Sequence, residues 1–300
     1  MSRRYFISML MVFISVQAAV SANTETPDLF ITCDIGDKSV FERQPVSLNV
    51  TLYSSTPDIR YARKSADISL SSGEFATLQP VDNPGSAYRK VIDGKQYYCF
   101  PLEAYIATFA DNGSYRIKQR SFEVGVSYPV VVNDPFWGRI RSSETKNFEI
   151  PVKDCRFKVK SLPNPAADFN FSGSVGEFSV ETILPPGDIF LNEEALAVIV
   201  LRGTGMIAAH TMPEYREAFG GALRLKSVSE SRSEAYDKGK LVSELRLECT
   251  FIPKETENAR IGEVSFDYFD PVKCKYITAR SKPLNVKVKS TVSRREKMSI

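Results

Sequence analysis

The feature that most constrains this chain is the alternation of apolar and polar residues in short runs. In the segment 46–52 the two kinds alternate without a break: Val46, Ser47, Leu48, Asn49, Val50, Thr51 and Leu52. Successive side chains of a β-strand point to opposite faces, so the pattern predicts a strand with one buried and one solvated face. Similar runs recur between clusters of Gly, Pro, Asn, Asp and Ser, with no helical crossover segments between them. The sequence therefore predicts an all-β fold of the sandwich type.

The candidate strands form two groups. The first is 29–35, 46–53, 67–70, 96–106, 114–117, 121–126 and 146–150. The second is 155–160, 177–181, 196–202, 223–228, 241–251, 263–269, 276–279 and 284–288. One short helix is expected at 213–219, because Pro213 suits a first helical position and Gly220 and Gly221 would end it.

A length of 300 residues favours two domains. The turn-rich residues 133–138 place the boundary between 129 and 154, and we expect the junction near Lys153. The predicted β-sandwich domains are 23–152 and 153–290, followed by a polar, basic tail at 291–300. Weak correspondences between the halves fit either a tandem repeat of one sandwich or features that two β domains commonly share.

The first 22 residues have the pattern of a secretory signal peptide. Arg3 and Arg4 precede an apolar run, and Val20, Ser21 and Ala22 form a small-residue cleavage site. The apolar run is shorter than the roughly 20 residues of a membrane span, so we expect cleavage after Ala22 and export. The alternatives are an uncleaved membrane anchor and a buried helix. Cleavage would remove two arginines and no acid, so the net charge falls from +3 to +1. Such a balance gives no electrostatic signature of nucleic-acid binding.

The five cysteines are Cys33, Cys99, Cys155, Cys249 and Cys274, and none is paired at the short spacing of zinc or redox motifs. No metal is expected. Alternation places Cys33, Cys155 and Cys249 on apolar strand faces, where a reduced cysteine acts as a small apolar side chain. We expect buried free thiols; the alternatives are bridges between Cys33 and Cys99 and between Cys249 and Cys274.

Motifs for catalysis are missing from the sequence. The one histidine, His210, has no nucleophile motif nearby, and no phosphate-binding loop or His-Glu-x-x-His segment occurs. The Gly203-Thr204-Gly205 segment follows a predicted strand without a further glycine, so it predicts a turn or bulge. We expect no enzyme, no cofactor and no small-molecule substrate. Two carboxylates that are distant in sequence leave a glycosidase open as an alternative.

Aromatic residues at 136–137, 169–171 and 266–269 stand beside Asp, Asn, Pro or Gly, in expected turns. Two interpretations stay open. In the first, these aromatic residues close the ends of the sandwiches or the seam between the two sandwiches. In the second, some of the aromatic residues form a contact patch for another protein.

Several segments carry a family resemblance. They are, in order, Asp134-Pro135-Phe136-Trp137-Gly138, Val159-Lys160-Ser161-Leu162-Pro163, Asp168-Phe169, Gly173-Ser174-Val175-Gly176-Glu177-Phe178, Gly203-Thr204-Gly205 and Tyr268-Phe269-Asp270-Pro271. Together they resemble segments of the BatD, or oxygen tolerance, family over roughly residues 113–288. The family-motif or interaction residues are then Asp134, Pro135, Phe136, Trp137, Asp168, Phe169, Gly173, Val175, Gly176, Phe178, Gly203, Gly205, Phe269, Asp270 and Pro271.

The resemblance implies two tandem immunoglobulin-like β-sandwich domains after an N-terminal signal peptide, at the periplasmic face of a bacterial envelope. It implies a binding or scaffold role in aerotolerance or stress resistance. The implied partners are von Willebrand A-domain proteins, TPR-containing Bat proteins and a MoxR-type ATPase.

The chain departs from the family in two respects. Met206 stands where the family usually has Asn, and we expect a short form without the transmembrane helix that usually follows the β domains. Two other classes of function stay open. One is a structural surface protein, such as a pilus or adhesin component or a periplasmic chaperone that shares a strand with its client. The other is a glycan-directed envelope enzyme.

Overall fold

The computed structural model describes residues 26–36, 40–67, 76–117 and 120–290, and they form an all-β sandwich fold. The prediction of the fold class is confirmed. The strands of the N-terminal half are β1 (Leu29–Ile35), β2 (Val40–Phe41), β3 (Val46–Ser54), β4 (Ile59–Lys64), β5 (Ala76–Pro80), β6 (Tyr88–Ile92), β7 (Lys95–Phe109), β8 (Gly113–Arg116), β9 (Ser121–Asp134), β10 (Gly138–Pro151) and β11 (Arg156–Lys160).

The strands of the C-terminal half are β12 (Val175–Ile183), β13 (Ile189–Phe190), β14 (Ala195–Met206), β15 (Leu223–Asp237), β16 (Lys240–Pro253), β17 (Arg260–Ile261), β18 (Ser265–Asp270), β19 (Lys275–Arg280), β20 (Leu284–Asn285) and β21 (Val288–Lys289). The helix expected at 213–219 is only a 3₁₀ turn, Arg216–Phe219. It starts late because the backbone of Glu214 bonds to that of Ser265, with Glu214 N donating to Ser265 O at 2.8 Å.

Two sheets enclose the first core. One has the order β1–β3–β7–β5, with β6 also paired to β7, and the other has the order β10–β9–β4. Alternate residues of β3 and β9 meet between them, including Leu48, Val50 and Val124. The prediction that the second face of β3 is solvated is wrong, because Ser47 and Thr51 are also buried. β3 is a central strand between β1 and β7, whose side chains flank it on both faces.

A smaller sheet, β2–β11–β8, adds to the first core. β11 pairs in parallel with β2 and antiparallel with β8, and its Val159 is buried in the first core. The expected junction near Lys153 precedes β11, whereas this pairing groups β11 with the N-terminal strands. Between β11 and β12 the described chain has no regular strand, and it passes from the first core to the second there.

The second core lies on one face of a six-stranded sheet with the order β15–β16–β14–β12–β18–β19. Ile199, Leu247 and Phe251 are fully buried there. The pairs β13–β21 and β17–β20 and the 3₁₀ turn supply further elements, and Phe219 of that turn is part of the same core. β14 and β15 are longer than the sequence predicted, because both pair with β16 along most of their length.

Some expectations fall outside the described residues. These are the signal peptide at 1–22, the tail at 291–300 and residues 68–70 of a predicted strand. The sequence analysis did not predict β4, which pairs with β9. Across the described ranges, no helix combines the length and apolar character that crossing a bilayer requires.

Candidate functional site

The most prominent surface feature is a long hairpin formed by β9 and β10. The two strands pair at every position from Ser121↔Pro151 to Asp134↔Gly138 without a register shift. β4 pairs with β9 only as far as Val126, so residues 128–144 form a two-stranded arm. Seven residues at about 3.3 Å each give the arm a reach of about 23 Å beyond the three-stranded part. The sequence analysis used the turn-rich residues 133–138 to place a domain boundary between 129 and 154, and in the structure these residues close the β9–β10 hairpin.

Asp134 organises the turn at the end of the arm. Its Oδ1 accepts hydrogen bonds from the backbone N–H groups of Phe136, at 2.8 Å, and Trp137, at 2.9 Å. Pro135 presets the backbone, and Gly138 has a φ of 71°, which glycine adopts without steric cost. The turn is thus held by its own residues and displays two aromatic rings. Phe136 is 92% exposed and Trp137 is 82% exposed.

Apolar residues continue along the arm behind these rings. Val131, Val132 and Ile140 are exposed, and Val132 lies directly opposite Ile140. Val132 and Ile140 share one face of the arm, and Val131 lies on the opposite face, because successive strand residues alternate between faces. The residues 136–137 thus fit the second interpretation of the aromatic groups.

The aromatic residues at 169–171 and 269 fit the first interpretation, because they pack in the seam between the two cores. Phe41 and Phe269 meet edge to face, with 5.1 Å between ring centroids. Tyr276 contacts Phe269 at 5.1 Å, Phe171 at 5.0 Å and Phe169 at 5.3 Å. Phe41 comes from the first group of strands, so this cluster joins the two halves.

A second Asp-Pro turn, after β18, repeats the design of the first. Asp270 Oδ1 accepts the N–H groups of Val272 and Lys273, both at 2.9 Å, and its Oδ2 lies 2.7 Å from Lys273 Nζ. Burial would raise the pKa of Asp270, but the hydrogen bonds from Lys273 and the backbone outweigh it and lower the pKa below 3.8. The carboxylate stays ionised to hold this turn.

A cavity of about 290 Å³ lies beside the Asp270 turn, between the halves. The first half contributes residues 44–47 and Gly36. Five of the family-motif residues line its other side: Val175, Gly176, Gly205, Asp270 and Pro271. The structure thus brings together motif residues that are up to 96 positions apart in the chain.

The motif glycines serve strand packing. A Cβ on Gly203 would lie 2.0 Å from the carbonyl oxygen of Glu177, and a Cβ on Gly205 would lie 2.4 Å from that of Val175. The ring of Phe178 occupies the remaining space beside them. The prediction of a turn or bulge at 203–205 is wrong, since these residues lie within β14 and pair with β12.

The remaining motif residues are peripheral. Gly173 has a φ of 84° in the segment before β12, and Asp168 is exposed in a turn. The Asp134 turn lies far from the cavity. β3 begins at Val46, beside the cavity, and ends at Ser54. Beyond Ser54, the carbonyl oxygen of Asp58 accepts the N–H of Ser127 at the base of the arm, so β3 separates the cavity from the arm. His210 is exposed in a turn, as the expectation of a loop histidine requires.

The structure does not bring together the two cysteines of either suggested bridge. Cys33 faces the first core, whereas Cys99 packs with Tyr53 and Tyr97 in a separate cluster. Cys249 is fully buried in the second core, whereas Cys274 is exposed. All five are free, and burial is confirmed for the three that alternation assigned to strand interiors. The side chain that neighbours Cys33 is Cys155.

Sequence reasoning also missed a buried ion pair between Arg120 and Glu103. The two residues are 17 positions apart, on β7 and just before β9, and nothing in the local pattern indicates that they meet. Their role is structural, since they lie away from both the tip and the cavity-lining residues.

No protein-family model matches this chain, and neither does any curated protein. Among solved structures, it is similar to domains 5–6 of the S-layer protein SbsC, with 13% sequence identity and a TM-score of 0.22. That match covers 88% of this chain and 99% of the SbsC chain. At this TM-score the likeness carries no argument about function.

Proposed function

We propose that this chain is a non-catalytic binding and scaffold protein of the bacterial envelope, of the BatD type, exported to the periplasm. Its expected partner is a von Willebrand A-domain protein, with TPR-containing proteins in the same assembly. The observation that carries the proposal is the pair Phe136 and Trp137, displayed almost fully exposed at the end of the β9–β10 arm.

Two physical properties suit the tip to protein recognition. Large aromatic side chains supply most of the binding energy in many interfaces, and Trp is the residue most enriched in such positions. Because Asp134 and Pro135 hold the backbone of the turn, little backbone conformational entropy is lost on binding. The arm also carries the rings clear of the sandwich, so a partner reaches them without contacting the rest of the chain.

The test compares partners captured by the mature chain and by two variants. The tagged chain is crosslinked in intact cells of its host, and co-purifying envelope proteins are quantified by mass spectrometry. We expect an A-domain protein to be enriched, and Phe136→Ser/Trp137→Ser to reduce that enrichment at least about tenfold, the effect of losing roughly 1.4 kcal/mol of binding free energy. Val91→Ser, which removes an exposed apolar side chain from a different hairpin, is the matched control.

If Phe136→Ser/Trp137→Ser captures the same partners as the wild type, the aromatic pair at the end of the arm is not the binding site. Absence of any A-domain or TPR protein from the wild-type sample would sink the BatD-type assignment itself.

One observation favours a second candidate, a structural or chaperone protein that shares a strand. β10 is an edge strand of its sheet, and its residues from Gly138 to Asn147 are all exposed, with no proline or register shift among them. An exposed edge of this length accepts a strand from another chain. A photocrosslinking residue at Thr145 would then capture fibre subunits or client chains, whereas the same residue at Trp137 would not.

A further inference from the structure

Cys33 and Cys155 are brought together by a contact between β1 and the chain after β10. Ile31 and Val152 form a parallel bridge, and the N–H of Lys153 donates to the carbonyl oxygen of Ile31 at 2.9 Å. A few residues further along both segments, the two cysteine side chains enter the first core. Cys33 is 6% exposed and Cys155 is 8% exposed.

The two thiols interact directly. Both side chains belong to the buried cluster of the first core, and each is the main influence on the pKa of the other. The neighbouring Cys155, together with burial, raises the pKa of Cys33, and the neighbouring Cys33 lowers the pKa of Cys155. Of the two thiols, Cys155 is therefore the more readily ionised, and the thiolate is the reactive form in disulfide exchange.

We propose that Cys33 and Cys155 are a disulfide-forming pair, oxidised by a disulfide of the thiol-exchange class. The Cys155 thiolate attacks one sulfur of the oxidant and releases the other as a thiolate, giving a mixed disulfide. Cys33 then loses its proton, attacks the Cys155 sulfur and releases the second oxidant thiolate. The protein loses two protons and two electrons, and the oxidant disulfide is reduced to two thiols.

The other three cysteines lack such a neighbour. Cys99 lies in the separate Tyr53–Tyr97 cluster, Cys249 is inside the second core, and Cys274 is exposed in the turn after β18. An odd count therefore resolves into one pair and three single thiols. A disulfide between Cys33 and Cys155 would close a loop that runs from β1 to the residue before β11. The strands of both sheets of the first core lie within this loop.

In the cell, oxidation rests on the exported location that belongs to the proposed function, because disulfides persist in oxidising compartments. The chemistry itself is tested on the purified chain, so the two proposals fail separately. A reduced cytoplasmic location would remove the cellular role and leave the pair intact.

The experiment treats the purified mature chain with oxidised glutathione during refolding and digests it without reduction. We expect a linked peptide containing Cys33 and Cys155, the loss of two titratable thiols, and a higher urea midpoint than that of the reduced protein. Cys155→Ser should abolish all three changes, and Cys274→Ser should abolish none.

Peptide mapping of the wild type decides the matter even where a variant fails to fold. Recovery of Cys33 and Cys155 as separately alkylated thiols, with glutathione only on Cys274, would overturn the proposal. A linked peptide between any other two cysteines would overturn it as well.

Discussion

Removing the carboxylate of Glu103 should be among the most destabilising polar substitutions in the first core. The side chain of Arg120 is 4% exposed, and that of its partner Glu103 is 15% exposed. Arg120 also donates to the carbonyl oxygen of Ala66 at 3.1 Å, and its guanidinium lies 5.1 Å from the ring centroid of Phe122. In Glu103→Gln the buried guanidinium of Arg120 keeps a neighbour of the same size and shape but loses the negative charge that balances it.

Breaking a buried ion pair by removing one partner costs about 3–5 kcal/mol, and we expect Glu103→Gln to lie in this range. Arg120→Met should cost less, because Lys64 Nζ lies 3.5 Å from Glu103 and still offers a cation to the carboxylate. In the double variant the two costs should fall short of additivity by about 0.5–3 kcal/mol, as expected of groups in contact.

Urea denaturation followed by far-ultraviolet circular dichroism measures these differences. Glu263→Gln is the matched control, since its pair with Arg280 has side chains that are 42% and 59% exposed and should contribute only about 0–1 kcal/mol. A cost for Glu103→Gln no larger than that of the control would refute the reasoning, as would strict additivity in the double variant.

Three further outcomes are expected. Gly203→Ala should destabilise the second core far more than Gly220→Ala, because its Cβ would meet backbone 2.0 Å away rather than 3.3 Å away; equal urea midpoints would contradict this. Asp270→Asn should cost most above about pH 5 and progressively less as the pH falls below the ordinary Asp pKa of 3.8 and through the lowered folded-state pKa, since a lowered pKa stabilises only while the carboxylate is ionised; a cost independent of pH would count against the ion pair. Phe41→Ala should speed limited proteolysis between residues 161 and 174, because Phe41 packs against Phe269 across the seam; an unchanged cleavage rate there would show that the seam does not depend on this contact.

The turns show which features the local sequence determines and which it does not. Turn-forming residues predicted turns at 133–138 and beside the aromatic residues 266–269, and the turns that begin at Asp134 and Asp270 share the same Asp-Pro carboxylate cap. Whether such a turn separates two domains or closes a hairpin is not a local property. The continuous pairing of β9 with β10 decided it, and that pairing joins residues up to 30 positions apart.

The sequence by itself determined the β character of the chain, the buried faces of strands such as β3 and the burial of Cys33, Cys155 and Cys249. These follow from the period-two pattern, which each strand carries within a few residues. Only the tertiary structure decided the reach of the arm, the exposure of Trp137, the burial of Arg120 with Glu103 and the contact of Cys33 with Cys155. Each of these depends on which strands pair and in what register, and pairing is set by the whole chain's best burial of apolar surface rather than by any one segment.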